Sequence, residues 1–158
     1  AGRKRIGFIG ARMDPRSSRR LAGYRSAMQE AGYFDSRLVT TTITPSSVTM
    51  GMKLFHQAIE REPNLEAVVC NNDDIALGVL FACNRAGLAV PERISIVGFN
   101  DFEMMEVAYP PLTSIRTPRY EIGRRAIAMA VAAMTGQKIA ERVVDLGFEL
   151  KIRASSLR

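Results

Sequence analysis

The sequence predicts an α/β domain in which a mainly parallel sheet is covered by helices on both faces, a three-layer sandwich. Three observations carry that expectation. A short apolar run followed by a helical pattern recurs four times along the chain. The apolar runs are continuous rather than alternating, as strands buried on both faces require. Finally, 158 residues at 47% apolar content can bury one sizeable core, and nothing in the composition suggests disorder.

The first run, Arg5-Ile-Gly-Phe-Ile-Gly10, reads as a strand. Leu21, Tyr24, Met28 and Ala31 then recur at helical spacing, and Gly32 suits the helix end. Arg19 and Arg20 are expected to open that helix. Residues 37–43 are rich in β-branched side chains and read as the second strand. Pro45 and Ser46 can start the next helix, whose stripe is Met50, Leu54, Ala58 and Ile59 and whose stop is Pro63. A third strand over Glu66–Cys70 runs into Asn71-Asn-Asp-Asp74, a set able to cap the helix bearing Ile75, Leu77, Gly78, Leu80 and Phe81, which Gly87 ends. The fourth strand, Ile94–Phe99, runs into Asn100-Asp101.

The remainder is less regular. Tyr109-Pro-Pro-Leu112 is a stiff connection, Thr113–Arg116 a short extended piece, and Arg119–Met134 a helix with Ile122, Ala126, Ile127, Ala130 and Val131 on its apolar side. After Gly136, the alternation of Val144, Leu146, Phe148, Leu150 and Ile152 predicts an edge or antiparallel strand across 143–153.

The formal net charge of +6 is unevenly placed: residues 1–37 hold nine basic and three acidic groups, and the rest of the chain is balanced. That excess fits a nucleic-acid footprint, a pocket for an anion or a solvated surface, and charge alone does not choose among them. Cys70 and Cys83 fall in apolar elements without a Cys-x-x-Cys pattern, and His56 is the single imidazole. Neither a disulfide scaffold nor a histidine metal site is expected, and a reducing compartment is. No apolar run reaches the ~18 residues of a membrane span and no signal-peptide pattern is present, so the expectation is a soluble, cytoplasmic chain.

In an open α/β sheet, ligands bind beyond the carboxyl ends of the strands. Residues 11–20, 71–74 and 100–101 should therefore converge, offering carboxylates, amides and arginines suited to a polyhydroxylated or anionic small molecule. For Asn71–Asp74 helix capping is an equally good account, and for Asn100-Asp101 a turn is. Gly7, Gly10 and Gly23 form no Gly-x-Gly-x-x-Gly turn or phosphate loop, Ser17 and Ser18 lack a nucleophile-elbow setting, and no carboxylate pair is placed for acid–base work. No catalytic residue, metal or cofactor is expected.

Four segments carry a family resemblance: Arg20-Leu-Ala-Gly-Tyr24; Asn72-Asp-Asp-Ile-Ala-Leu-Gly78; Val90-Pro-Glu-Arg-Ile-Ser-Ile-Val-Gly-Phe-Asn-Asp101; and Pro111-Leu-Thr-Ser-Ile-Arg116 followed by Glu121-Ile-Gly-Arg-Arg-Ala126. In order and spacing they resemble LacI/GalR-type transcriptional regulators. The resemblance implies a periplasmic-binding-protein-like (type I) fold, of which this chain is the C-terminal lobe, with no DNA-binding headpiece. It divides the chain into lobe residues 1–112, a crossover strand and helix at 113–135 associated with a first lobe, and a returning strand at 136–158. The segments at Pro110-Pro111 and near Gly136 would then be hinges coupling lobe closure to DNA affinity.

The resemblance also implies effector contacts by Arg20, by Asn72 with Asp73 lining the pocket or fixing its rim, and by Asn100 backed by Asp101. Asp14 and Arg16 lie in the first cleft loop. The family usually carries Gly-Tyr/Phe-Asp-Asp where this chain has Gly98-Phe-Asn-Asp101, and loss of that carboxylate favours an acidic ligand. Asp145-Leu-Gly-Phe148 looks most like the regulators of gluconate utilisation, so gluconate or a related sugar acid is the implied effector. Homodimerisation through the helix bearing Leu77, Leu80 and Phe81 is implied as well, as is operator DNA bound by an N-terminal helix-turn-helix outside this chain. A sugar-binding receptor of a transport system is the alternative, and an α/β enzyme a distant third.

Overall fold

A computed structural model describes residues 2–157. Its sheet has the order β2-β1-β3-β4-β5-β6, with strands β1 (Ile6–Gly10), β2 (Val39–Thr41), β3 (Ala67–Cys70), β4 (Ser95–Phe99), β5 (Thr113–Arg116) and β6 (Glu149–Lys151). The first five are parallel, and β6 runs antiparallel to β5. The parallel register sets Phe8 beside Val69 and Val69 beside Val97. Successive side chains point to opposite faces of a strand, so Ile9 and Val68 join one core while Phe8 and Val69 join another.

The larger core lies beneath α2 (Val48–Arg61) and α3 (Asp73–Arg85), where Leu54, Phe55, Ile75, Leu80, Ile94 and Ile96 are fully enclosed. These two helices pack very closely because Gly51 and Gly78 face each other. A Cβ on Gly78 would sit 2.2 Å from the Val48 carbonyl oxygen and 2.7 Å from the Gly51 Cα. Only glycine permits that approach. The smaller core lies under α1 (Pro15–Glu30), where Tyr24 and Met28 meet Phe8 and the Tyr24 hydroxyl donates to the Ile6 carbonyl at 2.7 Å.

Several expected boundaries move, each for a local reason. Helix α1 begins at Pro15, where the Asp14 carboxylate accepts the Ser17 N–H; Arg19 and Arg20 therefore lie in its second turn. The second strand is only three residues long, because Asp35 captures the Arg37 N–H and guanidinium and winds residues 36–38 into a 3₁₀ turn. Ser47, not Pro45 or Ser46, caps α2. A four-residue helix, α4 (Met104–Val107), follows β4 and has no counterpart in the sequence reading.

The last segment departs most. The alternating residues of 143–153 do not form one long strand: β6 is three residues, preceded by Gly147 in the left-handed region, and Phe148, Leu150 and Ile152 stay exposed. The segment 113–135 is also divided. Its first part, β5, pairs with β4 inside this sheet, while α5 (Arg119–Met134) buries none of its residues. Beyond β6 the chain is pinned to the sheet. Buried Ser155 donates from its hydroxyl to the Ile96 carbonyl at 2.7 Å and accepts the Thr113 N–H at 2.8 Å.

The expected interface helix needs a further correction. Leu77 and Leu80 are 6% and 1% exposed, held in the chain's own core between α2 and the sheet, so they present nothing to a second copy. Phe81, 41% exposed, is the member of that trio on the surface. Both cysteines are buried and unpaired. Burial raises both thiols, Cys83 to about 12, which leaves them inert at neutral pH. Among the described residues, no helix is long and apolar enough to cross a membrane, and no cluster of three or more His, Cys, Asp or Glu is placed to hold a metal.

Candidate effector site

At the carboxyl ends of β1 to β4 the loops enclose a polar cleft of about 210 Å³, lined by Arg12, Asp14, Arg16, Ser17, Arg20, Ser46, Asn72, Asp74 and Asn100. Its position follows from topology. The chain leaves β1 toward one face and β3 toward the other, so the loops after these neighbouring strands part and open a crevice. Five of the residues singled out from sequence meet here: Asp14, Arg16, Arg20, Asn72 and Asn100.

Arg20 is the most rigidly held. Its Nη1 donates to the Asn71 carbonyl at 2.6 Å, and its guanidinium stacks 3.6 Å from the centre of the Phe99 ring. Burial above all, and then the neighbouring Arg16, push Arg20 below its ordinary value, an environment that an incoming anion would relieve. Asn71 organises the floor from below. Its side-chain amide donates to the Ala11 carbonyl at 2.7 Å and the Ser17 hydroxyl at 3.0 Å, and its oxygen accepts the Ala11 N–H. Asn72 caps α3 by accepting the Ile75 N–H, while its amide donates to the Ser46 hydroxyl at 2.7 Å. Capping and cleft lining are thus performed by one side chain. The Ser17 N–H first, then the Arg16 guanidinium at 3.1 Å, lower Asp14 to about 2.

Two other expected residues do not line the cleft. Asp73 is fully buried behind it, where one oxygen accepts the Ser114 hydroxyl at 2.7 Å and the other the Phe102 N–H at 2.8 Å. Burial chiefly raises its carboxyl, against those two hydrogen bonds. Asp101 sits under the rim with its two oxygens paired to Arg116 at 2.6 Å and Arg153 at 2.7 Å. Burial opposes its charge, yet the two guanidiniums outweigh burial and hold the carboxyl below its ordinary value. Asp73 and Asp101 therefore shape the loop that presents Asn100. That loop is strained: Asn100 and Asp101 both have positive φ, 119° and 53°.

Arg12, Ser17, Ser46 and Asp74 join the lining without having been named as contacts. Ser46 carries a usable signal, since it lies in the loop after the carboxyl end of β2, between the strand and α2. Arg12 owes its place to a left-handed backbone, φ 49°, which a sequence pattern does not announce in a non-glycine residue.

A parallel sheet of this order with an antiparallel returning strand, and a polar cleft at its carboxyl ends, is the arrangement of a periplasmic-binding-protein-like domain. The chain matches the periplasmic binding protein-like domain family over residues 1–156. It belongs to the LacI/GalR family of regulators. It is 43% identical to the HTH-type transcriptional regulator GntR of Pseudomonas aeruginosa over 155 residues, 98% of this chain and 45% of that protein. It is 38% identical to the HTH-type transcriptional regulator IdnR of Escherichia coli over 148 residues, 94% of this chain and 44% of that protein. The crystal structure of transcription regulator GntR from Chromobacterium violaceum superposes with a TM-score of 0.95 at 42% identity, covering 98% of this chain and 57% of that one. The chain spans less than half the length of the curated relatives it matches.

Proposed function

We propose that this chain is the C-terminal effector-sensing lobe of a transcriptional repressor, and that its cleft forms one wall of a site for a sugar acid, gluconate being the leading candidate. The observation that carries the reading is the convergence of Arg20, Asn72 and Asn100, together with Asp14 and Arg16, in one polar cleft at the strand ends. Asn72 and Asn100 can donate to and accept from hydroxyls, while a rigid, partly buried arginine suits a carboxylate. A first lobe, supplied by the rest of the full-length protein, would close the site from the other side. DNA binding would belong to a helix-turn-helix outside these residues, and lobe closure would alter operator affinity through the segments around Pro110-Pro111 and Gly136. The relatives named above are transcriptional regulators, which favours this reading over a transport receptor.

The full protein is proposed to act as a homodimer in the cytoplasm, with exposed Phe81 on α3 as the remaining contact of the interface first read from sequence. Calorimetric titration of the full-length protein tests the ligand. D-gluconate should bind tightly and D-glucose weakly; tight glucose binding without gluconate binding would overturn the sugar-acid reading.

A further inference from the structure

Three arginines line the cleft, and they are not equivalent. Arg16 is engaged by Asp14. Arg20 is engaged by the Asn71 carbonyl and the Phe99 ring. The Arg12 guanidinium, among the described residues, has no hydrogen bond or ion pair at all. Its backbone, by contrast, is tightly fixed: the Arg12 N–H donates to the Thr44 carbonyl at 2.8 Å, and the Arg12 carbonyl accepts the Asp14 N–H at 2.6 Å. These two bonds clamp the residue at φ 49°. A non-glycine residue held in the left-handed region costs conformational energy, and here the outcome is an uncommitted charge at the cleft.

The cleft is also polarised. Arg12, Arg16 and Arg20 come from the β1–α1 loop and α1, on the side of the sheet where Tyr24 and Met28 pack. Ser46, Asn72 and Asp74 come from the starts of α2 and α3 or just before them, on the opposite side. With Arg16 neutralised by Asp14, the net positive charge of the first wall rests on Arg20 and Arg12, while the second wall offers a hydroxyl, an amide and the Asp74 carboxylate. An aliphatic polyhydroxy acid has the matching polarity, with one anionic end and a hydroxylated tail.

We propose that Arg12 is the residue by which this cleft selects an acid over its neutral counterpart: the ligand carboxylate lies toward the first wall and receives a charge-assisted hydrogen bond from Arg12, and the hydroxyls lie toward Asn72, Ser46 and Asp74. This assignment rests on the sensor reading above and deepens it by naming the discriminating group. Arg20, preorganised by its floor contacts, anchors the carboxylate from below, and Arg12 adds the uncommitted charge that favours the acid over its neutral counterpart.

The test is calorimetry on the full-length protein with D-gluconate at low and moderate salt, comparing wild type with Arg12→Gln and Arg12→Lys. Arg12→Gln should weaken gluconate binding about tenfold or more and flatten its salt dependence. Arg12→Lys should restore most of the affinity. Because Arg12 is exposed and its guanidinium holds no hydrogen bond or ion pair among the described residues, thermal melting should not change. Unchanged affinity and salt slope in Arg12→Gln, with wild type binding gluconate, would overturn the role of Arg12 and leave the sensor reading standing. Absence of gluconate binding by wild type would overturn both.

Discussion

Helices α3 and α5 both carry the apolar periodicity of a buried face, yet they meet opposite fates. Nine residues of α3 are buried, including both Leu77 and Leu80, while α5 buries none and leaves Ile127 and Val131 67% and 53% exposed. The difference lies in the neighbours. Helix α3 sits between α2 and the sheet, locked by the Gly51–Gly78 approach. Helix α5 projects beyond β5: Arg119 at its start reaches the Asn100 carbonyl and the Phe102 ring, and the rest of the helix lies near residues 137–147 rather than on the sheet. Periodicity states that a face favours burial; it does not state which surface covers it. Under the two-lobe reading, the cover for α5 is the first lobe of the full-length protein.

That contrast can be broken most forcefully at Gly78. The added methyl of Gly78→Ala meets backbone atoms of α2 on three sides, so the expected cost is roughly 4 kcal/mol, beyond the usual overpacking range of about 1–3 kcal/mol. Urea denaturation of this chain measures it, and a loss under 1 kcal/mol would show that the two helices are not locked as described.

Next in size is Asp101→Asn, at the junction of the two regions. It leaves Arg116 and Arg153 without their shared carboxylate, at a cost of about 2–3 kcal/mol, reduced from the value for a fully buried pair because Arg116 is half-exposed. The pH dependence has a definite sign. The folded carboxyl lies below its ordinary value, so its stabilisation is fully present above the unfolded pKa of about 3.9 and is lost as the pH falls through the folded pKa. Wild type should therefore lose more stability than Asp101→Asn on acidification below about pH 4; parallel curves would remove the ion pair from the account of this junction. The smallest effect is expected on α5. Val131→Ser should change the stability of this chain by no more than about 0.5 kcal/mol, as for an exposed site. In the full-length protein the same change should cost more than about 1 kcal/mol, and equal small costs in both would remove the first lobe as the cover.

Much of the architecture is legible in the sequence, because it is written in long patterns. Continuous apolar runs announced parallel strands, Gly32 and Gly87 announced helix ends, and the positions just after strands announced five cleft residues. What escaped was short or non-local. The 3₁₀ turn at 36–38 depends on one Asp35 capture, and α4 is a single turn. The burial of Leu77 and Leu80 goes with the Gly51–Gly78 contact between α2 and α3, a pairing that the pattern within either helix does not announce. Asp73 and Asp101 read as ligand groups because of where they stand, but their partners arrive from later in the chain, Ser114 and Arg116 from β5 and Arg153 from just beyond β6. The alternation at 143–153 was real as a pattern, yet β5 offers a pairing edge only to residues 149–151.

The central claim is that the crevice above β1 to β4 is the effector site and that Arg20 anchors it. Titration of D-gluconate into the full-length protein, wild type beside Arg20→Ala, addresses it most directly. The expected result is a saturable heat in wild type that falls by about a hundredfold or more in affinity when the charged partner is removed, with the fold retained by circular dichroism. Equal binding by the two proteins would contradict the claim and place the effector elsewhere on the molecule.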